Sequence, residues 1–253
     1  GEDNIGTWHG GDFSGIVQKL DYLKSLGANA IWVTPIVEQV HGFVGGGTEQ
    51  SFPFYGYHGY WALDFTKIDK NLGTEEDFQR FVDEAHKRGI RVLVDVVMNH
   101  AGSITLKDLQ DLGMDDLIIN KETLPDDYSD YKPKGYFASW ASVNSHIDRE
   151  NKPAWKKWWG PSWVRAGLPG YDPSGDSEIT ETIAGLPDFK TEQLTPVSLP
   201  EFLKHKADTN AKELSNATVV DYLVSWHSYY VRKFGIDGFR CDTVKHVDAY
   251  AWK

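Results

Sequence analysis

Three times along the chain an amphipathic helical pattern closes on a glycine and runs directly into an apolar strand, an order that few folds accept. In the first unit Ser14 to Leu26 reads as a helix with Ile16, Leu20 and Leu23 on one face, followed by Gly27 and a strand from Ala28 to Thr34. The second helix opens at Thr74 and carries Glu75, Glu76 and Asp77 in its first turn, where acids meet the positive end of the helix dipole. It presents Phe78, Phe81, Val82 and Ala85 before Gly89 and the strand Ile90 to Val97. The third begins near Thr218 with Asp221 at capping-box spacing, carries Val219, Leu223, Trp226 and Tyr230, and passes Gly235 into Ile236 to Asp242. Near-continuous apolar strands suit a parallel sheet covered by helices, which leaves a doubly wound sheet or a (β/α)8 barrel.

Between the second and third strands lie roughly 120 residues, far more than a short loop and a helix require. The excess, about Ala101 to Asn216, is rich in Gly, Pro, Trp, Asp and Ser and reads as an inserted, irregular subdomain; an excursion from the C-terminal end of a barrel strand normally builds part of an active site. A formal charge of -11 argues against a protein that tracks nucleic-acid backbones, because that needs clustered Lys and Arg. Ten Trp are more than a core of this size usually needs, so either stacking surfaces or large buried rings account for them. One cysteine excludes an internal disulfide, and no apolar run is long enough to span a membrane.

Alternation along Gly238-Phe239-Arg240-Cys241-Asp242 sends Arg240 and Asp242 to one side and Phe239 and Cys241 to the other. A guanidinium beside Asp242 would favour its ionised form, as a carboxylate nucleophile requires, although a structural ion pair has the same pattern. The strand ending Asp95-Val96-Val97-Met98-Asn99-His100 leaves polar groups at its tip: His100 could donate to a substrate hydroxyl, the Asn99 carbonyl could serve a hard cation, and Asp95 would brace the site. Phe54 to Trp61 interleaves rings with small residues and His58, a composition suited to the apolar faces and hydroxylated edges of a glucan.

Four segments in this order, Tyr57-His58-Gly59-Tyr60-Trp61, Asp95 to His100, Leu186-Pro187-Asp188-Phe189 and Gly238 to His246, resemble the α-amylase family of glycoside hydrolases over nearly the whole chain. Trp158-Trp159-Gly160, the Leu186 motif and Asp208 to Lys212 look most like its periplasmic bacterial members. The resemblance implies part of a (β/α)8 TIM barrel, about strands 2 to 4, with the barrel at 1–100 and 217–253 and domain B at 101–216. It implies retaining hydrolysis of α-1,4-glucosidic bonds in starch, glycogen and maltodextrins, with Asp242 as nucleophile and Arg240 as its electrostatic partner. Tyr60 would stack under the sugar, His58 and His100 would hydrogen-bond it, Trp61 would shape its pocket, and Lys245 and His246 would contact the leaving-group side. Asn99, Asp188 and the main-chain oxygen of His246 would hold a structural calcium ion. The expected partner is an α-glucan, with no nucleic acid, membrane or protein partner, in a secreted or periplasmic setting.

The family's general acid, a Glu after the fifth barrel strand, and its transition-state-stabilising Asp after the seventh have no counterpart in this sequence, and the opening residues read as the loop after a first strand. The expectation is a fragment inactive by itself. Within the family, an α-glucosidase or cyclodextrin hydrolase is the nearest alternative; Lys245-His246 and Leu186-Pro187-Asp188 look more like α-amylase. From another class, the alternative is a non-catalytic glucan-binding relative.

Overall fold

The computed structural model describes residues 5–46, 52–124 and 145–253. Each of the three repeat units is built by the local chemistry that its sequence announces. Helix α1 (Phe13–Ser25) starts where the Asp12 side chain accepts from the Gly15 N–H, and it leads into strand β1 (Ala30–Val33). Before the second helix come β2 (Val37–Gln39), the hairpin strands β3 (Phe43–Gly46) and β4 (Phe52–Tyr55), and β5 (Ala62–Ile68). Helix α2 (Glu75–Lys87) carries a complete Thr74–Asp77 capping box and precedes β6 (Arg91–Val96). The inserted stretch contributes α3 (Leu106–Asp111), α4 (Lys152–Trp155), the strand pair β7 (Val164–Arg165) and β8 (Asp188–Phe189), and α5 (Glu201–His205). Helix α6 (Val219–Phe234) has a Thr218–Asp221 capping box, and it ends at Gly235, whose φ of 70° is the left-handed conformation that a C-cap glycine supplies, before β9 (Gly238–Cys241).

Strands β1, β6 and β9 form one parallel sheet in chain order, with Val33 opposite Val94 and Asp95 opposite Arg240. Two antiparallel pairs, β2 with β5 and β3 with β4, stand between the first two strands in sequence. Periodicity does not announce β5, because two of its buried residues, Asp64 and Thr66, are polar. One Asp64 oxygen is satisfied within the strand, for the Thr66 N–H and hydroxyl both donate to Oδ1, at 2.8 and 2.6 Å, while Lys206 Nζ stands 3.5 Å from Oδ2. The Asn210 backbone and side-chain amides then donate to the Thr66 hydroxyl and carbonyl, each at 3.0 Å, which ties the end of the insertion to this strand.

Among the described residues five tryptophans are core. Trp155, Trp158, Trp159, Trp163 and Trp226 are all at most 6% exposed, and Trp159 packs against Phe65, Phe189 and Phe202. Trp163 stacks on Trp226 at 5.8 Å and 8° between planes, so α6 and the insertion share one aromatic block. Among the described residues no helix is long and apolar enough to cross a membrane.

A second junction is ionic. His41 lies between Glu38 (2.9 Å) and Asp111 (2.7 Å), and its backbone N–H donates to Asp108. Burial opposes protonation of His41, but Glu38, Asp108 and Asp111 outweigh it and raise the imidazole to about 9. A pKa raised on folding stabilises fully below the unfolded value, near 6.5, and that stabilisation is lost as pH climbs through about 9. The loss amounts to at most about 3 kcal/mol. Thermal melts between pH 6 and pH 9.5 should therefore fall with pH in the wild-type protein and flatten in His41→Gln; equal slopes would remove His41 from the account.

Candidate active site

The site grows from the register of the parallel sheet. Because Asp95 and Arg240 are opposed on β6 and β9, a single nitrogen, Arg240 Nη1, reaches Asp95 Oδ1 and Oδ2 at 3.1 and 2.9 Å and Asp242 Oδ1 at 2.6 Å. The Asp242 N–H donates to the Val96 carbonyl at 2.9 Å, so the ladder continues one residue past β9 and holds the carboxylate at the strand's C-terminal end. The next residue, Thr243, has φ 49°. That conformation is strained for a β-branched side chain, costing on the order of 1–3 kcal/mol, and it turns the chain sharply away behind Asp242. The Arg240 guanidinium also sits over the Trp32 ring, 5.0 Å from its centroid.

Asp95 has a fully buried side chain. Burial raises its carboxyl above the usual range, while hydrogen bonds from Tyr60 and Arg240 favour the ionised form. The Tyr60 hydroxyl donates to Asp95 Oδ2 at 2.8 Å, and burial, with the carboxylate next to it, pushes the phenol up to about 12. Tyr60 and Arg240 thus hold Asp95 from two sides, and Asp95 serves as the anchor that the sequence suggests.

Of the residues singled out in the sequence, Arg240, Asp242, Tyr60, His58 and Trp61 come together. The His58 ring lies 5.8 Å from Tyr60 and nearly parallel to it, and meets Trp61 edge-on at 4.6 Å. His58 Nδ1 accepts from the Tyr60 N–H at 3.0 Å, which places the proton of the neutral ring on Nε2 and leaves that nitrogen as a donor. Burial, and then the neighbouring His100, lower His58 to about 4, so it is neutral at ordinary pH. Trp61 is fixed by its backbone N–H donating to Gln39 Oε1 at 2.6 Å.

His100 departs from expectation. It is only 4% exposed, its Nε2 faces the Tyr60 carbonyl at 3.1 Å, and its Nδ1 lies 3.2 Å from the Asn99 amide. Both ring nitrogens face protein, so in this arrangement His100 does not offer a hydrogen bond to a sugar; it positions the backbone beneath Tyr60. Lys245 and His246 lie beyond Thr243, both tied to Glu178 of the insertion: Lys245 Nζ donates to its carboxylate at 3.1 Å, and His246 Nδ1 approaches its carbonyl at 2.6 Å.

The three residues expected to hold a cation also converge. The main-chain oxygen of Asn99 is engaged by the Phe189 N–H at 2.8 Å, and its side chain, held on one side by His100, is the part that faces the other two residues. Its amide group lies 2.9 Å from the His246 main-chain oxygen and 3.2 Å from Asp188 Oδ1. An amide nitrogen turned inward would satisfy both oxygens directly; an amide oxygen turned inward would complete an all-oxygen donor set suited to a hard cation. Burial pushes Asp188 up to about 7 against the opposing effect of Arg165, whose guanidinium donates to Asp188 at 3.0 Å and also pairs with Glu192. Arg165, Glu178, Gln39 and Trp32 carry no motif in the sequence, and only their contacts mark them.

Known proteins match most or all of the chain. The family model described as "Alpha amylase, catalytic domain" matches residues 2–166. The whole chain is 48% identical to the periplasmic α-amylase of Escherichia coli (strain K12), and it spans 38% of that protein's length. It is 32% identical over 98% of its length to an α-amylase of Streptomyces lividans, covering 25% of that protein. Among solved structures, an Anoxybacillus α-amylase matches 98% of this chain with a TM-score of 0.51 and 29% identity, over 36% of its own length. An α-amylase of Geobacillus thermoleovorans matches with the same TM-score of 0.51 at 26% identity, over 98% of this chain and 37% of the other. The three-stranded parallel sheet is accordingly an arc of a (β/α)8 barrel.

Tyr60→Phe should lower stability by about 1–2 kcal/mol, because it removes a hydrogen-bond donor from a buried carboxylate while keeping the ring. Chemical denaturation measures this, and an unchanged midpoint would mean that Arg240 alone suffices to hold Asp95.

Proposed function

Because the chain belongs to the α-amylase catalytic-domain family of glycoside hydrolases, we propose that the protein carrying it hydrolyses α-1,4-glucosidic bonds in starch, glycogen and maltodextrins with retention of configuration. The observation that carries this reading is the Arg240 guanidinium shared between Asp95 and Asp242 beside the His58–Tyr60–Trp61 aromatic group. Asp242 is the nucleophile that attacks the anomeric carbon, and Arg240 orients its carboxylate through the 2.6 Å hydrogen bond to Oδ1. Tyr60 supplies the ring face beneath the sugar, His58 donates from Nε2 to a sugar hydroxyl, and Trp61 closes the pocket wall. Lys245 and His246 meet the glucan on the leaving-group side, and a secreted or periplasmic setting fits the polymeric substrate.

Retaining hydrolysis requires a second, protonated carboxyl roughly 5–5.5 Å from the nucleophile. Asp95 is unsuited to that part, since its side chain is fully buried and its oxygens are occupied by Arg240 and Tyr60. On the family pattern that acid would be a Glu after the fifth barrel strand. In the first step the Asp242 carboxylate forms a glycosyl ester as the acid protonates the departing oxygen; water then cleaves the ester, returning a proton to that acid.

Asn99, Asp188 and the His246 main-chain oxygen would hold a calcium ion, which would act as a cross-link between the end of β6, the insertion and the segment after β9. Chelation with EGTA should lower the melting temperature, and Asp188→Asn should melt lower with little further response to EGTA. An identical EGTA response in the two proteins would place any calcium elsewhere.

In the intact protein that carries this chain, Asp242→Asn should reduce starch hydrolysis by more than about a thousand-fold while preserving the fold and glucan binding. A fluorinated maltosyl donor should trap a covalent sugar on Asp242 in the wild-type protein. Mass spectrometry that finds the label on a different carboxylate overturns the assignment.

A further inference from the structure

Along one flank of α6, between that helix and the segment around Asn210 to Leu214, the chain forms a basin of about 350 Å3 whose lining includes Asn210, Lys212, Ser225, Trp226, Tyr229 and Arg232. We propose that this basin binds a phosphate monoester carried on a single sugar ring. Its volume falls within the roughly 300–1,000 Å3 range of small-molecule sites. It shares no residue with the catalytic cluster.

The charge pattern identifies the ligand. The chain carries a formal charge of -11, and two of its least exposed lysines are paired, Lys206 with Glu38 at 2.7 Å and Lys190 with Asp172 at 2.7 Å. Lys212 and Arg232 are exposed at the basin, among the described residues neither forms an ion pair, and Arg232 only approaches the Ser225 carbonyl at 3.5 Å. Two cations facing one concavity without a carboxylate leave a donor-rich site. An arginine fork and a lysine point charge together suit a compact dianion with several acceptor oxygens better than a neutral sugar.

The walls are held in place before any ligand arrives. Ser225, Trp226, Tyr229 and Arg232 follow the helical repeat and so share one side of α6. The facing segment is tied at two points, where Asn210 donates twice to Thr66 and where the Leu214 N–H donates to the Tyr222 hydroxyl at 2.9 Å. Lys212 lies between those ties, so little ordering is needed on binding. Both faces of Trp226 are covered, by Phe65 at 5.9 Å and Trp163 at 5.8 Å, which leaves its edge to line the basin together with the Tyr229 ring. These surfaces accommodate an apolar ring face beyond the phosphate.

Calorimetric titration of the intact protein with glucose 6-phosphate, glucose, inorganic phosphate and a phosphorylated maltodextrin tests the proposal. Glucose 6-phosphate should bind saturably at one site and weaken with salt, whereas glucose should not bind there. Lys212→Gln and Arg232→Gln should each weaken binding by about tenfold or more, and the double variant should abolish it. The single variants carry the test if the double one fails to fold, as judged by circular dichroism. Comparable affinity for the phosphorylated maltodextrin would identify a glucan-borne phosphate as the source, and binding of glucose 6-phosphate alone would identify the free ester; both support the site. Unchanged affinity in the charge variants, or inorganic phosphate binding as tightly as glucose 6-phosphate, overturns it.

Discussion

A single guanidinium nitrogen organises the candidate site of this molecule. Arg240 Nη1 lies between the carboxylates of Asp95 and Asp242, and through them it joins β6, β9 and the Tyr60 turn. A carboxylate with the burial of Asp95 is stable in the ionised form only when its oxygens are hydrogen-bonded and a positive charge is near. Arg240 provides the charge, Tyr60 a neutral donor. Because Asp95 then holds the Tyr60 hydroxyl, and His100 holds the Tyr60 carbonyl, a ring suited to sugar stacking is set by the same buried group that aligns the arginine. Asp242 shares this cation but keeps partial exposure.

The insertion is attached to the barrel arc by two kinds of force. Apolar burial gathers Trp159 and Trp163 against Phe65 on β5 and Trp226 on α6, which supplies most of the driving force without direction. Direction comes from polar pairs: Asn210 on Thr66 and the Phe189 N–H on the Asn99 carbonyl. The second contact falls just past the C-terminal end of β6, so the insertion stands beside the ends of the parallel strands, where barrel enzymes build their sites. Glu178 extends the arrangement by holding Lys245 and His246 from the insertion side.

Parts of this were legible residue by residue. Thr74 with Asp77 and Thr218 with Asp221 are capping boxes in the sequence and in the structure, and the strands that follow Gly89 and Gly235 fall where the apolar runs place them. The shared side of Arg240 and Asp242 follows from strand alternation. Strand β5 was not legible, because Asp64 and Thr66 interrupt its apolar pattern and become acceptable in a core only through each other and Lys206. Nor was the fate of His100: a histidine at a strand tip reads as available, and only the approach of the Tyr60 carbonyl and the Asn99 amide shows its nitrogens to be engaged. The surplus of tryptophan likewise had two readings until packing put five of the rings in the core.

Helix caps, glycine stops, strand alternation and hence the arc of alternating helix and strand were determined by the sequence itself, since each depends on residues within a few positions of one another. The clamp on Asp95 joins Tyr60 and Asp95 35 residues apart and Asp95 and Arg240 145 apart, and Arg165 meets Asp188 across 23 residues. No periodicity links such positions. Which buried charges find partners, which histidine nitrogen remains a donor, and which oxygens converge near Asn99 were decided only by the tertiary structure, because desolvation and hydrogen bonding act on what folding brings within about 3 Å, whatever its distance along the chain.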